Sequence, residues 1–204
     1  DYMPLDGDGI KKDSDDHVHF IVVGMSKIGI AMGVQALLQA HYINYAAAEK
    51  EGILEKMRIR RTRLTFIDSN ADKEKNFFIG RYQNLFNIVR HRYIDTTIGL
   101  GNAIEWDDPM WHENLPWSHL NTTKDGQIKK GNFLDVEIEF VKGELESENV
   151  RKYLLDISNS EDEWVKNSKL TIAICLTQTH QAIAASLYMP ISAYEKAQQV
   201  WVYQ

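Results

Sequence analysis

The sequence predicts an α/β domain, a doubly wound parallel sheet with helices on both faces, and two features carry that prediction. Residues 17–33, HVHFIVVGMSKIGIAMG, open with an apolar run that lacks polar alternation, as a strand buried on both faces requires, and pass within a few residues into an apolar helix. Apolar runs and helical patterns then alternate along the chain, the arrangement that joins parallel strands by crossover helices. A length of 204 residues suits one domain with a sizeable core, or one domain carrying insertions.

Residues 1–16 are acidic, contain Gly7 and Gly9 and show no periodicity, so a flexible leader is expected before a single domain over 17–204. The first strand ends in Gly24-Met25-Ser26-Lys27-Ile28-Gly29. Gly24 suits a tight turn that needs unusual backbone angles and brings its N–H groups close to an anion. Gly29 suits close packing of helix on strand. The helix N-terminus gathers unpaired amides and the positive end of the macrodipole, which stabilises a pyrophosphate without any charged side chain. The dinucleotide fingerprint is G-x-G-x-x-G, and Ser26 stands at its middle glycine. The serine Cβ sits where backbone usually touches phosphate, although its hydroxyl can donate a hydrogen bond in compensation and Lys27 can add a cation. The competing reading keeps this turn for packing alone, with no ligand.

Ile28, Ala31, Met32, Val34, Leu37 and Leu38 cover most of a helix circumference, so this helix is expected to be buried on more than one side. Its continuation over 46–60 is more polar, with Glu51 and Glu55 on one face and Gly52 as an interruption, and reads as an insertion over about 46–61. Arg58, Arg60, Arg61 and Arg63 form a short basic cluster, expected as a solvated loop or an ion-paired helix end. A second strand over 64–67 ends at Asp68, where an acid accepts hydrogen bonds from ribose hydroxyls; the offset from Gly29, 68 − 29 = 39, exceeds the usual twenty or so and is absorbed by the insertion. Asp68 also reads as a helix N-cap.

A helix over 72–92 follows, its aromatic stripe of Phe77, Phe78, Tyr82 and Phe86 expected in the core. Residues 96–130, a second insertion rich in tryptophan, show no sustained period and are expected to pack on a neighbouring subunit or domain. Asp107, Asp108, His112, Glu113 and His119 lie there without a recognised metal-ligand spacing. The third strand, 134–140, alternates cleanly and is expected at the sheet edge because one face is polar. A turn at Lys142-Gly143-Glu144, a helix over 146–155, a fourth strand over 170–176, a helix over 179–187 and a fifth strand over 200–203 complete the order 3-2-1-4-5.

A net charge of −6 argues against a nucleic-acid surface. The lone Cys175, inside an apolar run, admits no intramolecular disulfide and points to a reducing compartment. No stretch reaches the length of an apolar membrane span, and residues 1–16 carry no signal-peptide pattern. The opening without methionine suggests an excised piece of a longer protein.

The segments FIVVGMSKIG, LTFIDSN, EIEFVKGELESENV and LTIAICLTQTHQAIAASLYMP together resemble the TrkA-N or RCK domain, the Rossmann-like nucleotide-binding regulator of potassium channels and transporters. The resemblance spans most of 18–204, outside the two insertions. In that family the third strand commonly ends in Gly-Asp, where Gly143-Glu144 stands, and the fourth leads into a polar turn and helix, matched by Thr177 to Gln181. The resemblance implies regulation rather than catalysis. Gly24, Ser26 and Gly29 would hold phosphate, Asp68 ribose, and Glu144 adenine or ribose. NAD, NADH, ADP and ATP are the implied ligands, a cytoplasmic location and a membrane pore or transporter subunit the implied setting, and a homodimer or larger ring the implied assembly. The alternatives are an NAD(P)-dependent oxidoreductase, a methyltransferase and a degenerate Rossmann module used only for assembly. Against an enzyme, His91, His112, His119 and His180 are scattered; His180, just past the fourth strand, is the best placed and also reads as a helix-start residue.

Overall fold

The computed structural model describes residues 3–86, 89–99, 106, 135–158 and 161–203. Six strands form one sheet: β1 (His17–Val23), β2 (Thr62–Asp68), β3 (Arg90–Asp95), β4 (Val136–Lys142), β5 (Ser168–Ile174) and β6 (Ala197–Val202). Every pairing is parallel and the order is β3-β4-β2-β1-β5-β6. The predicted 3-2-1-4-5 winding is present as β4-β2-β1-β5-β6, with β3 added outside it.

Helices cover both faces. On one, α1 (Lys27–Gln39), α4 (Ala71–Arg81) and α5 (Gln83–Phe86) pack over Phe20, Val22, Leu64, Phe66, Ile138 and Phe140. On the other, α6 (Glu148–Asp156), α8 (Thr179–Tyr188) and α9 (Ile191–Lys196) cover Ile21, Val23, Ile67, Val141, Ile172 and Ile174. Between β1 and β2, α2 (Ile43–Glu51) and α3 (Leu54–Ile59) occupy the first insertion, and Gly52 at φ 70° ends α2 where the sequence shows its interruption. A short α7 (Glu163–Asn167), unforeseen in the sequence, precedes β5.

Several expectations are corrected. The helix predicted over 72–92 stops at Phe86, and its last part is β3, in which Arg90 and Arg92 alternate with His91 and Tyr93. The strand expected at the edge is interior: β4 lies between β2 and β3, with Glu137 and Glu139 fully buried. These carboxylates are matched across the strands, Glu137 by Arg63 at 2.6 Å and Arg90 at 2.9 Å, and Glu139 by Arg92, the Thr65 hydroxyl at 3.1 Å and the Tyr153 hydroxyl. Arg63 is therefore a sheet residue rather than part of a solvated cluster, while Arg60 fits the helix-end reading through its 2.8 Å pair with Asp15. Trp106 lies over the Arg90 and Arg92 guanidiniums, 4.4 Å from each, so this tryptophan packs on its own sheet. The remainder of that insertion from 100 to 134, with the potential metal ligands, lies outside the described residues. Buried residues of α1 form one stripe, Gly29, Gly33, Ala36 and Leu37, and Leu38 is exposed; in α4, Phe77 is exposed while Phe78 is core. Leu5 and Ile10 of the leader pack against the first core cluster, and Asn44 donates to the carbonyls of Ser14 and Asp16.

Candidate functional site

Open parallel sheets bind ligands beyond the carboxyl ends of their strands, where neighbouring crossovers leave on opposite faces. Here that point lies at β1, flanked by β2 and β5, and two adjoining cavities open there. One of about 170 Å³ is bounded by Val23, Asp68, Gly143, Glu144, Glu146 and Gln181. The other, about 360 Å³, is bounded by Gly24, Met25, Ser26, Asp68, Glu74 and Gln181. They share Asp68, Ser69, Leu176 and Gln181 and form one crevice.

Local chemistry shapes the turn. Gly24 adopts φ 96°, a left-handed conformation that side chains resist, and a Cβ on it would stand 3.0 Å from the Cys175 carbonyl oxygen. Its N–H donates to the Ile67 carbonyl at 2.8 Å. A Cβ on Gly29 would fall 2.1 Å from the Gly24 carbonyl oxygen, so this glycine sets how closely α1 approaches β1. Ser26 is the N-cap of α1: its hydroxyl accepts from the Gly29 N–H at 3.1 Å and donates to the Cys175 carbonyl at 2.7 Å. The hydroxyl expected to compensate for the missing glycine thus ties the turn to the end of β5.

Asp68 is engaged as well. One carboxylate oxygen accepts from the Met25 N–H at 2.7 Å, the other from the Asn70 N–H at 2.8 Å. Asn70, rather than Asp68, stands at the N-cap of α4. Within the turn, the amides of Gly24, Met25 and Gly29 have protein acceptors and the Ile30 amide donates to the Ser26 carbonyl at 2.8 Å, so the Lys27 and Ile28 amides are the donors that the first turn of α1 leaves over.

The structure brings Gly24, Ser26, Asp68 and Glu144 to one crevice, with Gly29 beneath it as a packing residue. Lys27 is exposed and borders neither cavity. Gln181, which faces both cavities from the first turn of α8, and Glu74 and Glu146 were not singled out in the sequence; the available signal was that each is a polar residue shortly after a strand, 170–176, 64–67 and 134–140 in turn. His180 is exposed at the start of α8 and borders neither cavity. Burial pushes the Cys175 thiol up to about 11, which leaves it protonated and a poor nucleophile at neutral pH. Among the described residues no cluster of three or more His, Cys, Asp or Glu side chains could hold a metal ion, and no helix is long and apolar enough to cross a membrane.

The fold and this crevice define a Rossmann-like α/β domain. No known family model matches the chain, and no curated protein matches it.

Proposed function

We propose that the chain is a regulatory domain that binds an adenosine-containing ligand in this crevice, and that occupancy changes how the domain is arranged against its partners. The observation that carries the reading is the convergence of the Gly24 turn, Asp68 and Glu144 on one opening at the carboxyl ends of the strands. Asp68 and Glu144 supply acceptors suited to ribose hydroxyls, and the first turn of α1 supplies donors. NAD, NADH, ADP and ATP are the ligands that the resemblance to the TrkA-N or RCK domain puts forward. The same resemblance supplies the outer part of the proposal: a cytoplasmic domain, paired or in a ring, acting on a potassium pore or transporter in the same chain or a separate one. A ligand acts there only through unequal affinity for two arrangements. The high thiol pKa of Cys175 and the position of His180 away from the cavities favour regulation over catalysis.

Thermal unfolding with NAD, NADH, ADP, ATP and S-adenosylmethionine tests this reading. At a ligand concentration about 100 times Kd the native state gains about 2.7 kcal/mol, a rise of several degrees. A dose-dependent rise with at least one adenosine compound is expected. No rise with any of them leaves an assembly module, and turnover of NAD with a simple alcohol or hydroxy acid makes the chain an oxidoreductase.

A further inference from the structure

The charges around the crevice narrow the ligand further, on the reading that an adenosine compound occupies it. Four carboxylates border the two cavities, Asp68 and Glu74 at the turn and Glu144 and Glu146 beside β4, and among the described residues no lysine or arginine does. Lys27 is exposed and outside the lining, and Lys142 is engaged by Asp72 at 3.4 Å and Asp95 at 4.0 Å. A crevice lined by one sign of charge focuses that field on its contents and disfavours a ligand of the same sign.

The turn adds to this. A pyrophosphate cradle needs several free amides aimed at its oxygens, yet the Met25 amide is held by the Asp68 carboxylate at 2.7 Å, the Gly29 amide by Ser26 at 3.1 Å and the Ile30 amide by the Ser26 carbonyl at 2.8 Å, which leaves the Lys27 and Ile28 amides. A diphosphate would displace a carboxylate from its donor while lying beside it. Ribose hydroxyls, which donate as well as accept, meet no such penalty at Asp68 or Glu144.

We infer that the crevice selects an adenosine compound whose 5′ substituent is neutral or cationic, and disfavours diphosphates and dinucleotides. The test is titration calorimetry of the whole chain, in chelator so that no divalent cation bridges phosphate to carboxylate, with adenosine, S-adenosylmethionine, ADP and NAD. Adenosine and S-adenosylmethionine are expected to bind about tenfold or more tightly than ADP and NAD, a difference of about 1.4 kcal/mol. In the double variant Glu74→Gln with Glu146→Gln, the ratio of ADP to adenosine affinity is expected to rise about threefold or more as like charge is removed. Tighter binding of ADP or NAD than of adenosine, or an unchanged ratio in the variant, overturns the inference and leaves the crevice a nucleotide site. Binding of none of the four compounds removes the crevice reading itself, and the inference with it.

Discussion

Gly29 leaves no room for a side chain, because an added methyl group would stand 2.1 Å from a backbone oxygen that cannot swing away. Gly29→Ala is expected to cost about 3 kcal/mol through forced separation of α1 from β1, read as a lower urea midpoint at unchanged m-value. Ser26 acts through two hydrogen bonds, one capping α1 and one fastening the turn to β5. Ser26→Ala removes both and is expected to cost about 1–2 kcal/mol in the same assay, whereas a cost of a few tenths would mean that the cap contributes nothing here. The roles of Gly24 and Gly29 were legible in the sequence, since a turn and a close approach each restrict residue type locally. The engagement of Asp68 with Met25 was not, because the two are distant in sequence and only the parallel pairing of β1 with β2 brings them together.

At the scale of elements, the polar half of the sheet is the least expected part of the fold. His17 and His19 on β1, Arg63 and Thr65 on β2, Glu137 and Glu139 on β4, and Arg90 and Arg92 on β3 form buried or half-buried rows across neighbouring strands. Read one segment at a time, an alternating acidic strand suggests an exposed face and an arginine-rich segment a solvated end. Only mutual pairing makes both compatible with burial, and pairing across strands is invisible to a local pattern. Breaking such a pair leaves an uncompensated buried charge, so Glu139→Ala is expected to cost about 3–5 kcal/mol. Replacing Glu139 and Arg92 together by methionine should cost less than the sum of the single changes, and strict additivity in that double-mutant cycle would deny the coupling.

The same region makes stability sensitive to acid. Burial lowers the His17 pKa from 6.5 to about 3, and burial beside Arg63 holds His19 well below the usual histidine value. Above pH 6.5 these groups are neutral in both folded and unfolded chains and pH has no effect through them. As pH falls from 6.5 towards 3 the unfolded chain takes up protons that the folded chain refuses, so stability falls by up to about 1.4 kcal/mol per pH unit through His17, and His19 acts in the same direction. Glu139, held low by Arg92 and Arg63 against the cost of burial, loses its contribution in the same direction as acid protonates it. His17→Asn is expected to flatten the slope of urea-derived stability between pH 6.5 and 4; an unaltered slope would show that His17 is not protonated on unfolding in that range.

For the whole molecule, the winding of the sheet followed from the order of apolar runs, because alternating strands and helices admit few arrangements once crossovers must cover both faces. The added edge strand β3 escaped that logic, having a single buried residue, Ile94, and no apolar run. The winding places its reversal at β1, and with it the crevice that Gly24, Asp68, Glu144 and Gln181 share. That crevice is where the proposal places an adenosine compound. Amide chemical shifts of the isotope-labelled chain during titration with adenosine test it most directly: the account predicts saturable changes confined to residues 24–29, 68–70, 143–146 and 177–181. Changes centred elsewhere on the surface, or none at millimolar adenosine, would contradict it.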